Sequence, residues 1–312
     1  SEVTEIRGIP GDFEVEILKH PRYVDMGKCI ACGTCAEKCP KKVDDVFNQK
    51  MIKRKAVYVE YAQAVPLKYA IDEANCIYLT KGKCRACEKF CPTKAINFDE
   101  KEERQTLRVG AVVIAPGFTA FDPTRYTTYK YAKNPNVVTS MEFERILSAT
   151  GPYQGHLQRP SDGREPGKIA WLQCIGSRDL HQCDHGYCSS VCCMYAVKEA
   201  VVAKEHGGSD LDCAIFFMDM RTHGKDFERY YDDARNKHGI RFIRSRVPYV
   251  DAVTGQDDLV IPYIDEKGDL VRESFDMVVL SVGLDSPTGA RELADIVKVD
   301  LDKYDFCKTD FF

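Results

Sequence analysis

The sequence predicts an α/β protein that carries an inserted α+β domain. Two observations lead to this prediction. Between residues 168 and 247, apolar segments typical of buried strands alternate with helical segments, as in a parallel sheet with Rossmann-like winding. Upstream of that region, eight of the 15 cysteines fall into two short runs with the spacing of metal ligands. We therefore expect a cysteine-dense module and a strand–helix region in one chain.

Length and charge exclude several classes of protein. A chain of 312 residues can form two or three domains with their own cores. Its net charge of −4 offers no electrostatic basis for binding nucleic acid or an anionic membrane. No apolar run approaches the ~20 residues of a membrane span, and no signal-peptide pattern is present. Clustered cysteines fit a reducing, anaerobic cytoplasm better than a secreted disulfide scaffold.

The first segment, residues 1–24, is predicted to form a β-hairpin. Strand-like sequences at Glu2–Ile6 and Phe13–Leu18 flank a turn that contains glycine and proline. The chain begins with Ser1 close to strand-like sequence, and it ends at Phe312 without a closing element. We expect it to be a piece of a longer polypeptide.

Residues 25–104 contain the two cysteine runs. The runs are Cys29, Cys32, Cys35, Cys39 and Cys76, Cys84, Cys87, Cys91. In bacterial ferredoxins with two [4Fe–4S] clusters, the cysteine that precedes proline ligates the cluster of the other run. Pro40 and Pro92 follow the last cysteine of each run. The predicted ligand sets are Cys29, Cys32, Cys35 with Cys91, and Cys76, Cys84, Cys87 with Cys39.

A pair of zinc sites is the alternative, because Cys-x2-Cys pairs also bind zinc. A third cysteine at the same spacing before a Cys-Pro pair, occurring twice, favours iron–sulfur clusters. The segment between Cys39 and Cys76 is longer than in a minimal ferredoxin and is interpreted as an insertion. We expect it to be β-rich over Met51–Tyr61 and helical near Pro66–Glu73.

Residues 105–165 are predicted to contain one buried strand, one short helix and a linker. The apolar run Ala111–Ala115, followed by Pro116-Gly117, is typical of a parallel strand that leads into a tight turn. A short helix is expected at 141–150, and residues 151–167 have the composition of a linker.

Residues 166–276 are predicted to form a Rossmann-like domain. Its expected strands are Lys168–Ile175, Asp212–Met218 and Ile240–Val247, its expected helices are Ser189–His206 and Asp226–His238, and two antiparallel strands follow at 258–264 and 270–274. Residues 277–312 then begin with Met277–Gly283, which has the same character as the strand that ends before Pro116-Gly117.

A further group of cysteines lies where a nucleotide-binding unit would have its glycine-rich turn. The turn after the first strand has one glycine, Gly176, and not the three of G-x-G-x-x-G. We expect Cys174 to end the strand, and Cys188 and Cys192 to share one face of the next helix with Cys193 beside them. These four residues are predicted to hold a third [4Fe–4S] cluster. The alternatives are buried structural thiols, a Cys192–Cys193 disulfide, or Cys183 as the fourth ligand.

In their order along the chain, these segments resemble the A-type iron–sulfur subunit of heterodisulfide reductase. The resemblance rests on the two-cluster ferredoxin and, in order, on GAVVIAPGF, QCIGSRD, YCSSVCCMYAVKEA and DMVVLSVGL. It implies a thioredoxin-reductase-like flavoprotein core into which the ferredoxin is inserted, so that residues 1–24, 105–165 and 277–312 belong to the flavin domain. It also implies FAD, with matching contacts at Ala115, Pro116, Gly117, Ser281, Val282 and Gly283.

The family's lysine near the flavin ring corresponds to Lys198, for which a catalytic role follows from the resemblance. An exposed helix lysine without such a role is the alternative. The family's flavin-binding G-x-G-x-x-G and its last flavin-contact segment have no counterpart in these 312 residues. FAD is therefore expected for the whole protein, and its retention by this region depends on those segments.

The predicted function is electron transfer between FAD and [4Fe–4S] clusters in a cytoplasmic heterodisulfide-reductase-like complex, for which electron bifurcation is a candidate activity. Expected partners are the other subunits of the complex and an electron donor such as a hydrogenase or formate dehydrogenase. One alternative is an NAD(P)H-dependent oxidoreductase similar to the small subunit of glutamate synthase. The other is a relay module without catalytic activity.

Overall fold

The computed structural model describes residues 1–252 and 258–309. Within these residues the strands are β1 (Glu2–Ile9), β2 (Asp12–Lys19), β3 (Lys42–Asp44), β4 (Lys53–Lys55), β5 (Val57–Tyr58), β6 (Ala70–Ile71), β7 (Glu103–Val109), β8 (Thr119–Ala120), β9 (Val137–Thr139), β10 (Lys168–Ile175), β11 (Asp212–Phe216), β12 (Arg241–Ile243), β13 (Asp251–Ala252), β14 (Leu259–Ile264), β15 (Leu270–Phe275), β16 (Met277–Val282) and β17 (Leu284–Asp285).

The α-helices of the described residues are α1 (Thr34–Glu37), α2 (Ile77–Lys81), α3 (Ala86–Lys89), α4 (Ser140–Leu147), α5 (Cys192–Gly207), α6 (Phe227–Asn236) and α7 (Ala290–Val297). Short 3-10 helices occur at Glu73–Asn75, Pro123–Arg125 and Thr127–Tyr129. In the same described ranges, no helix combines the length and the apolar character that a membrane crossing requires.

The chain divides into two compact units. Unit 1 contains Ser1–Gly117 and Ser286–Phe312, and unit 2 contains Phe118–Asp285. These limits differ from the predicted domain boundaries. Strands β9 and β16, which the sequence assigns to the flavin domain, pair in the same parallel sheet as β10. Backbone pairing across this sheet draws both segments into unit 2.

Unit 1 begins with the predicted hairpin. Strands β1 and β2 pair antiparallel, and β7 extends the sheet on the other side of β2. The prediction of a buried strand at Ala111–Ala115 is wrong for this structure, because residues 111–118 lie outside any strand and are exposed. The side chain of Val113 is 89% exposed. A parallel strand needs a paired neighbour, and no described strand pairs with this segment.

The cysteine-dense module of unit 1 contains very short elements. Strands β3 and β4 form one ladder, and β5 and β6 form another. The expected helix near Pro66–Glu73 is wrong, since this stretch contains β6 and the start of a 3-10 helix. The backbone N–H of Ile71 donates to the Arg22 carbonyl, and that of Asp72 donates to the Ala56 carbonyl. These long-range bonds replace the local bonds of a helix.

Unit 2 is built on a parallel sheet with strand order β12-β11-β10-β16-β9. The predicted strand Lys168–Ile175 is found with the same limits, and α5 and α6 follow β10 and β11 as predicted. The helix predicted from Ser189 begins at Cys192 instead. Strands β13, β14 and β15 form a separate antiparallel sheet that includes the two strands predicted for 258–274.

A buried carboxyl group lies in the core of unit 2, between α5 and β10. The Trp171 indole N–H donates to Oε2 of Glu199 at 3.0 Å, and both side chains are buried. Burial raises the pKa of Glu199 well above its ordinary value. Glu199 therefore binds a proton in the folded chain at pH values where the unfolded chain has released it.

We expect Glu199→Gln to stabilise the chain increasingly as pH rises. The protonated acid contributes its full stability below the unfolded pKa and loses it toward the raised folded pKa, with a slope of at most ~1.4 kcal/mol per pH unit. Urea unfolding of both chains between pH 5.5 and 7.5 measures the difference. Equal pH dependence in the two chains would contradict this interpretation.

Candidate metal centres

Four cysteines drawn from both runs lie close to one another in unit 1. The pKa of the Cys35 thiol is raised to about 11, chiefly by burial and in part by the neighbouring thiols of Cys29, Cys32 and Cys91. These are the four residues predicted to hold the first cluster. Cys29 and Cys35 are buried, Cys91 is half-buried and Cys32 is exposed. Cys91 thus lies near three thiols of the other run.

The second predicted set lines a single cavity. Cys39, Cys76, Cys84 and Cys87 all contribute to its wall, together with Tyr78 and Phe98 among others. The pKa of Cys87 is raised to about 12, chiefly by burial, and the thiols of Cys76, Cys39 and Cys35 act in the same direction. The last cysteine of the first run therefore faces the cysteines of the second run.

Local backbone geometry gives the two runs matching turns. The residues that precede α1 and α3, Gly33 and Arg85, both adopt positive φ angles, of 82° and 84°. Each turn brings a cysteine into the second position of the following helix, at Cys35 and Cys87. Further along, the Ala95 N–H donates to Sγ of Cys91 at 3.2 Å. Bonds of this kind stabilise a thiolate.

Cys174, Cys188, Cys192 and Cys193 come together at the carboxyl edge of the parallel sheet in unit 2. Cys174 lies near the end of β10 with a φ of 63°, in the left-handed region. Sγ of Cys192 donates to the carbonyl of Val282 at 3.6 Å, at the end of β16. Sγ of Cys193 donates to the carbonyl of Asp219 at 3.9 Å. Ligands of open α/β sheets bind at this edge.

The expectation that Cys188 and Cys192 share a helix face is wrong. Helix α5 begins at Cys192, and Cys188 belongs to the loop before it. This loop is held by side-chain hydrogen bonds, in which the Ser189 N–H donates to Oγ of Ser177 at 3.1 Å and the Leu284 N–H donates to Oγ of Ser189 at 2.9 Å. These bonds satisfy backbone groups that a longer helix would have used.

The thiols of this group act on one another. The pKa of Cys192 is raised to about 12, chiefly by burial and in part by the thiols of Cys174, Cys193 and Cys188. Burial likewise raises the pKa of Cys174 to about 11. Such thiols release their protons only if a cation compensates the negative charge, as iron does in a cluster. The chemistry of the four residues therefore fits a metal cluster.

None of these groups has the geometry of a site for one ion. Among residues 1–252 and 258–309, no three His, Cys, Asp or Glu side chains are close enough to hold a single metal ion. A [4Fe–4S] cluster binds each thiolate through a different iron atom, so its ligands do not meet at one point.

Cys183 has different neighbours from the four cysteines of unit 2. The Tyr126 hydroxyl donates to Sγ of Cys183 at 3.2 Å, and Cys183 donates to the carbonyl of Asp179 at 3.3 Å. Nδ1 of His185 lies 2.9 Å from the carbonyl of Gly176. Cys192 and Cys193 are both free thiols in the structure.

The residues matched to flavin contacts lie in different environments. Pro116 and Gly117 are exposed in unit 1 and line a small cavity with residues of α7, and Ala115 is exposed beside them. In unit 2, Ser281 and Val282 are buried in β16, while the Gly283 N–H donates to the Ile175 carbonyl at 2.7 Å. Lys198 is exposed on α5 and lines a cavity of about 690 Å³.

Phe121 fills the space over the single-glycine turn of unit 2. A Cβ added to Gly176 would lie 2.1 Å from the Phe121 ring, which is itself buried. In a dinucleotide-binding unit, the pyrophosphate needs close access to this turn. No local sequence pattern indicates this contact, because Phe121 and Gly176 are far apart along the chain.

We expect no tight binding of NADH to this chain. The turn after β10 lacks the glycines that allow a pyrophosphate to approach the backbone closely. The Phe121 ring also occupies the space over this turn. Isothermal titration calorimetry with NADH checks this, with a dinucleotide-binding Rossmann protein as the positive control. A dissociation constant in the low micromolar range would contradict the prediction.

A family model described as "4Fe-4S binding domain" matches residues 22–43. Over 99% of its length, the chain is 40% identical to the A-type iron-sulfur subunit of the CoB--CoM heterodisulfide reductase of Methanocaldococcus jannaschii and covers 46% of that protein. Over 96% of its length, it is 38% identical to the A-type subunit of the H(2)/formate:CoB-CoM heterodisulfide,ferredoxin reductase of Methanococcus maripaludis, covering 45% of it. The chain thus spans about half the length of these relatives.

Among solved structures, the chain aligns with LpdA from Mycobacterium tuberculosis at 14% identity and a TM-score of 0.32, over 69% of this chain and 37% of LpdA. The matched 4Fe-4S domain includes Cys29, Cys32, Cys35 and Cys39, which confirms the prediction of an iron–sulfur protein.

Proposed function

Because the chain belongs, over the region that it spans, to the family of A-type heterodisulfide reductase subunits, which are oxidoreductase subunits, we propose that it conducts electrons through three [4Fe–4S] clusters. Unit 1 holds two of them in a ferredoxin-like module, and unit 2 holds the third. FAD, bound by the whole protein, exchanges electrons with these clusters. The residues of the chain hold the cofactors and adjust their reduction potentials.

The main support for the proposal is that each group of four thiols in unit 1 combines cysteines from both runs. Cys39 lines the same cavity as Cys76, Cys84 and Cys87, while Cys91 lies with the first three cysteines of the chain. A pair of independent zinc knuckles would have no reason to exchange their fourth ligands. This exchange is the rule for two-cluster ferredoxins. It supports Cys29, Cys32, Cys35 and Cys91 as one ligand set and the remaining four as the other.

In unit 2 the proposed ligands of the third cluster are Cys174, Cys188, Cys192 and Cys193, with Cys183 outside the set. This assignment is supported by the closeness of the four thiols at the carboxyl edge of the sheet, where they raise one another's pKa. Lys198 is proposed to face the flavin, where its cation would favour the reduced, anionic ring. The proposed flavin contacts are Ala115, Pro116 and Gly117, and Ser281, Val282 and Gly283.

We further propose that the whole protein works in a cytoplasmic complex with other heterodisulfide-reductase-like subunits. The name of the Methanococcus maripaludis relative pairs H(2) or formate with a CoB-CoM heterodisulfide and ferredoxin. A hydrogenase or a formate dehydrogenase is therefore the proposed electron donor. Two acceptors in one name also support electron bifurcation, in which an electron pair divides between a high-potential and a low-potential acceptor.

Anaerobic purification of the full-length protein with its partners tests the proposal. We expect this region to contribute about twelve iron and twelve sulfide, three [4Fe–4S] clusters in all, together with bound flavin. The Cys-to-Ser variants described below assign iron to each set of ligands. Zinc in place of iron, or no loss of iron on replacing these cysteines, would refute the function. Iron without flavin would leave only the relay alternative.

A further inference from the structure

We propose that the ion pair between Arg178 and Asp219 sets the reduction potential of the cluster held by Cys174, Cys188, Cys192 and Cys193. This inference rests on the proposed third cluster. It concerns two residues outside the ligand set, which the sequence alone did not single out. Arg178 is proposed to act on the cluster through its positive charge, and the carboxylate of Asp219 is proposed to reduce the effect of that charge.

Arg178 lies in the turn that follows β10. Its guanidinium forms an ion pair with the carboxylate of Asp219, and its charge acts on the nearby thiol of Cys174 by opposing the rise in the pKa of that thiol. The Arg178 N–H donates to the carbonyl of Tyr187 at 2.9 Å, which ties the turn to the loop that leads to Cys188. The guanidinium is therefore held next to one proposed ligand by both its backbone and its partner.

Asp219 lies in the turn that follows β11, and this turn contacts another ligand. The Asp219 carbonyl accepts a hydrogen bond from Sγ of Cys193 at 3.9 Å. Nε of Arg221 lies 3.4 Å from Oδ1 of Asp219. One ion pair thus bridges two turns, each of which touches a cysteine of the group.

The charges of this pair have opposite effects on a cluster. Reduction adds one electron to the cluster, with no bond made or broken, so the cluster gains one negative charge. A cation next to a ligand sulfur stabilises the reduced state and raises the potential. The carboxylate of Asp219 opposes this effect. Both side chains are partly exposed, with 24% and 45% of their surface accessible, so salt screens both effects.

A redox titration followed by electron paramagnetic resonance tests the inference on the full-length protein, with dithionite as the reductant. The signal that disappears in Cys193→Ser identifies the third cluster. We expect Arg178→Gln to shift its midpoint potential downward and Asp219→Asn to shift it upward, at unchanged iron content. Arg178→Lys should restore most of the wild-type potential. Both shifts should shrink at high ionic strength.

The opposite signs separate charge tuning from a structural role. If the ion pair only held the two turns together, Arg178→Gln and Asp219→Asn would break the same contact and shift the potential alike. Arg272→Gln is the matched control, since it breaks an Arg–Asp pair of unit 2 whose partner is Asp251 at 3.0 Å. Shifts of equal sign, or none beyond the control, overturn the inference.

Loss of the cluster in one variant does not remove the test. If Arg178→Gln fails to bind iron, the midpoint potential of Asp219→Asn tests the inference by itself, because that variant keeps the guanidinium. An upward shift supports the inference, and the absence of a shift contradicts it. If no signal disappears in Cys193→Ser, there is no third cluster, and both the proposed function and this inference are wrong. If the third cluster is present but neither variant changes its potential, the inference is wrong and the proposed function stands.

Discussion

Replacing Cys192 with serine is expected to remove about four iron atoms per chain, one whole [4Fe–4S] cluster. Cys192 is buried among the three other proposed ligands, so no solvent thiol or water has ready access to replace its sulfur. Serine is similar in shape to cysteine, but its hydroxyl oxygen is not the soft sulfur ligand that iron–sulfur clusters require. Iron and acid-labile sulfide assays on anaerobically purified protein give the result.

Cys183→Ser is the matched control for that loss. Cys183 is also buried and lies in the same unit, but its hydrogen bonds go to Tyr126 and Asp179. We expect it to keep its full iron content. Loss of iron in Cys183→Ser but not in Cys174→Ser would mean that Cys183 is the fourth ligand. If none of these changes alters the iron content, residues 174–193 contain structural thiols only.

The crossed ligand sets of unit 1 predict which second mutation removes further iron. In a Cys32→Ser background the first cluster is already lost, and Cys32 is exposed, so the replacement disturbs little packing. Adding Cys91→Ser should then remove no further iron, because Cys91 serves the same cluster. Adding Cys39→Ser should remove about four more, the iron of the second cluster.

Uncrossed sets predict the reverse order, since Cys39 would then share a cluster with Cys32. The double variants thus distinguish the two arrangements by iron content alone. Cys307→Ser, at an exposed cysteine far along the chain from both runs, is the control for nonspecific loss. A structure with Cys39 on the same cluster as Cys29, Cys32 and Cys35 would also rule out the crossed arrangement.

Local patterns predict the features that depend on nearby residues. The hairpin, strand Lys168–Ile175 and the order of strands and helices in unit 2 follow from apolar periodicity, and the structure contains them. The cysteine runs are recognisable because their spacing is short and repeated. The ligand assignments of all three groups remain predictions.

Features that depend on distant contacts are not predictable in the same way. Ala111–Ala115 has the composition of a buried strand, but a strand also needs a partner. Cys188 falls outside α5 because hydrogen bonds to Ser177 and Ser189 hold its loop, and no local pattern encodes them. The pairing of Arg178 with Asp219 joins turns 41 residues apart.

The hydrophobic core of the cysteine-dense module has an unusual membership. Of its 13 buried residues, five are cysteines: Cys29, Cys35, Cys39, Cys76 and Cys87. If these sulfurs bind iron, the same atoms serve as core packing and as cross-links between distant parts of the chain. Such cross-links restrict the unfolded chain, and metal binding energy becomes folding energy. Newly made chains would then acquire this module's stable form only as iron and sulfide are delivered, so cluster assembly and folding would be one event.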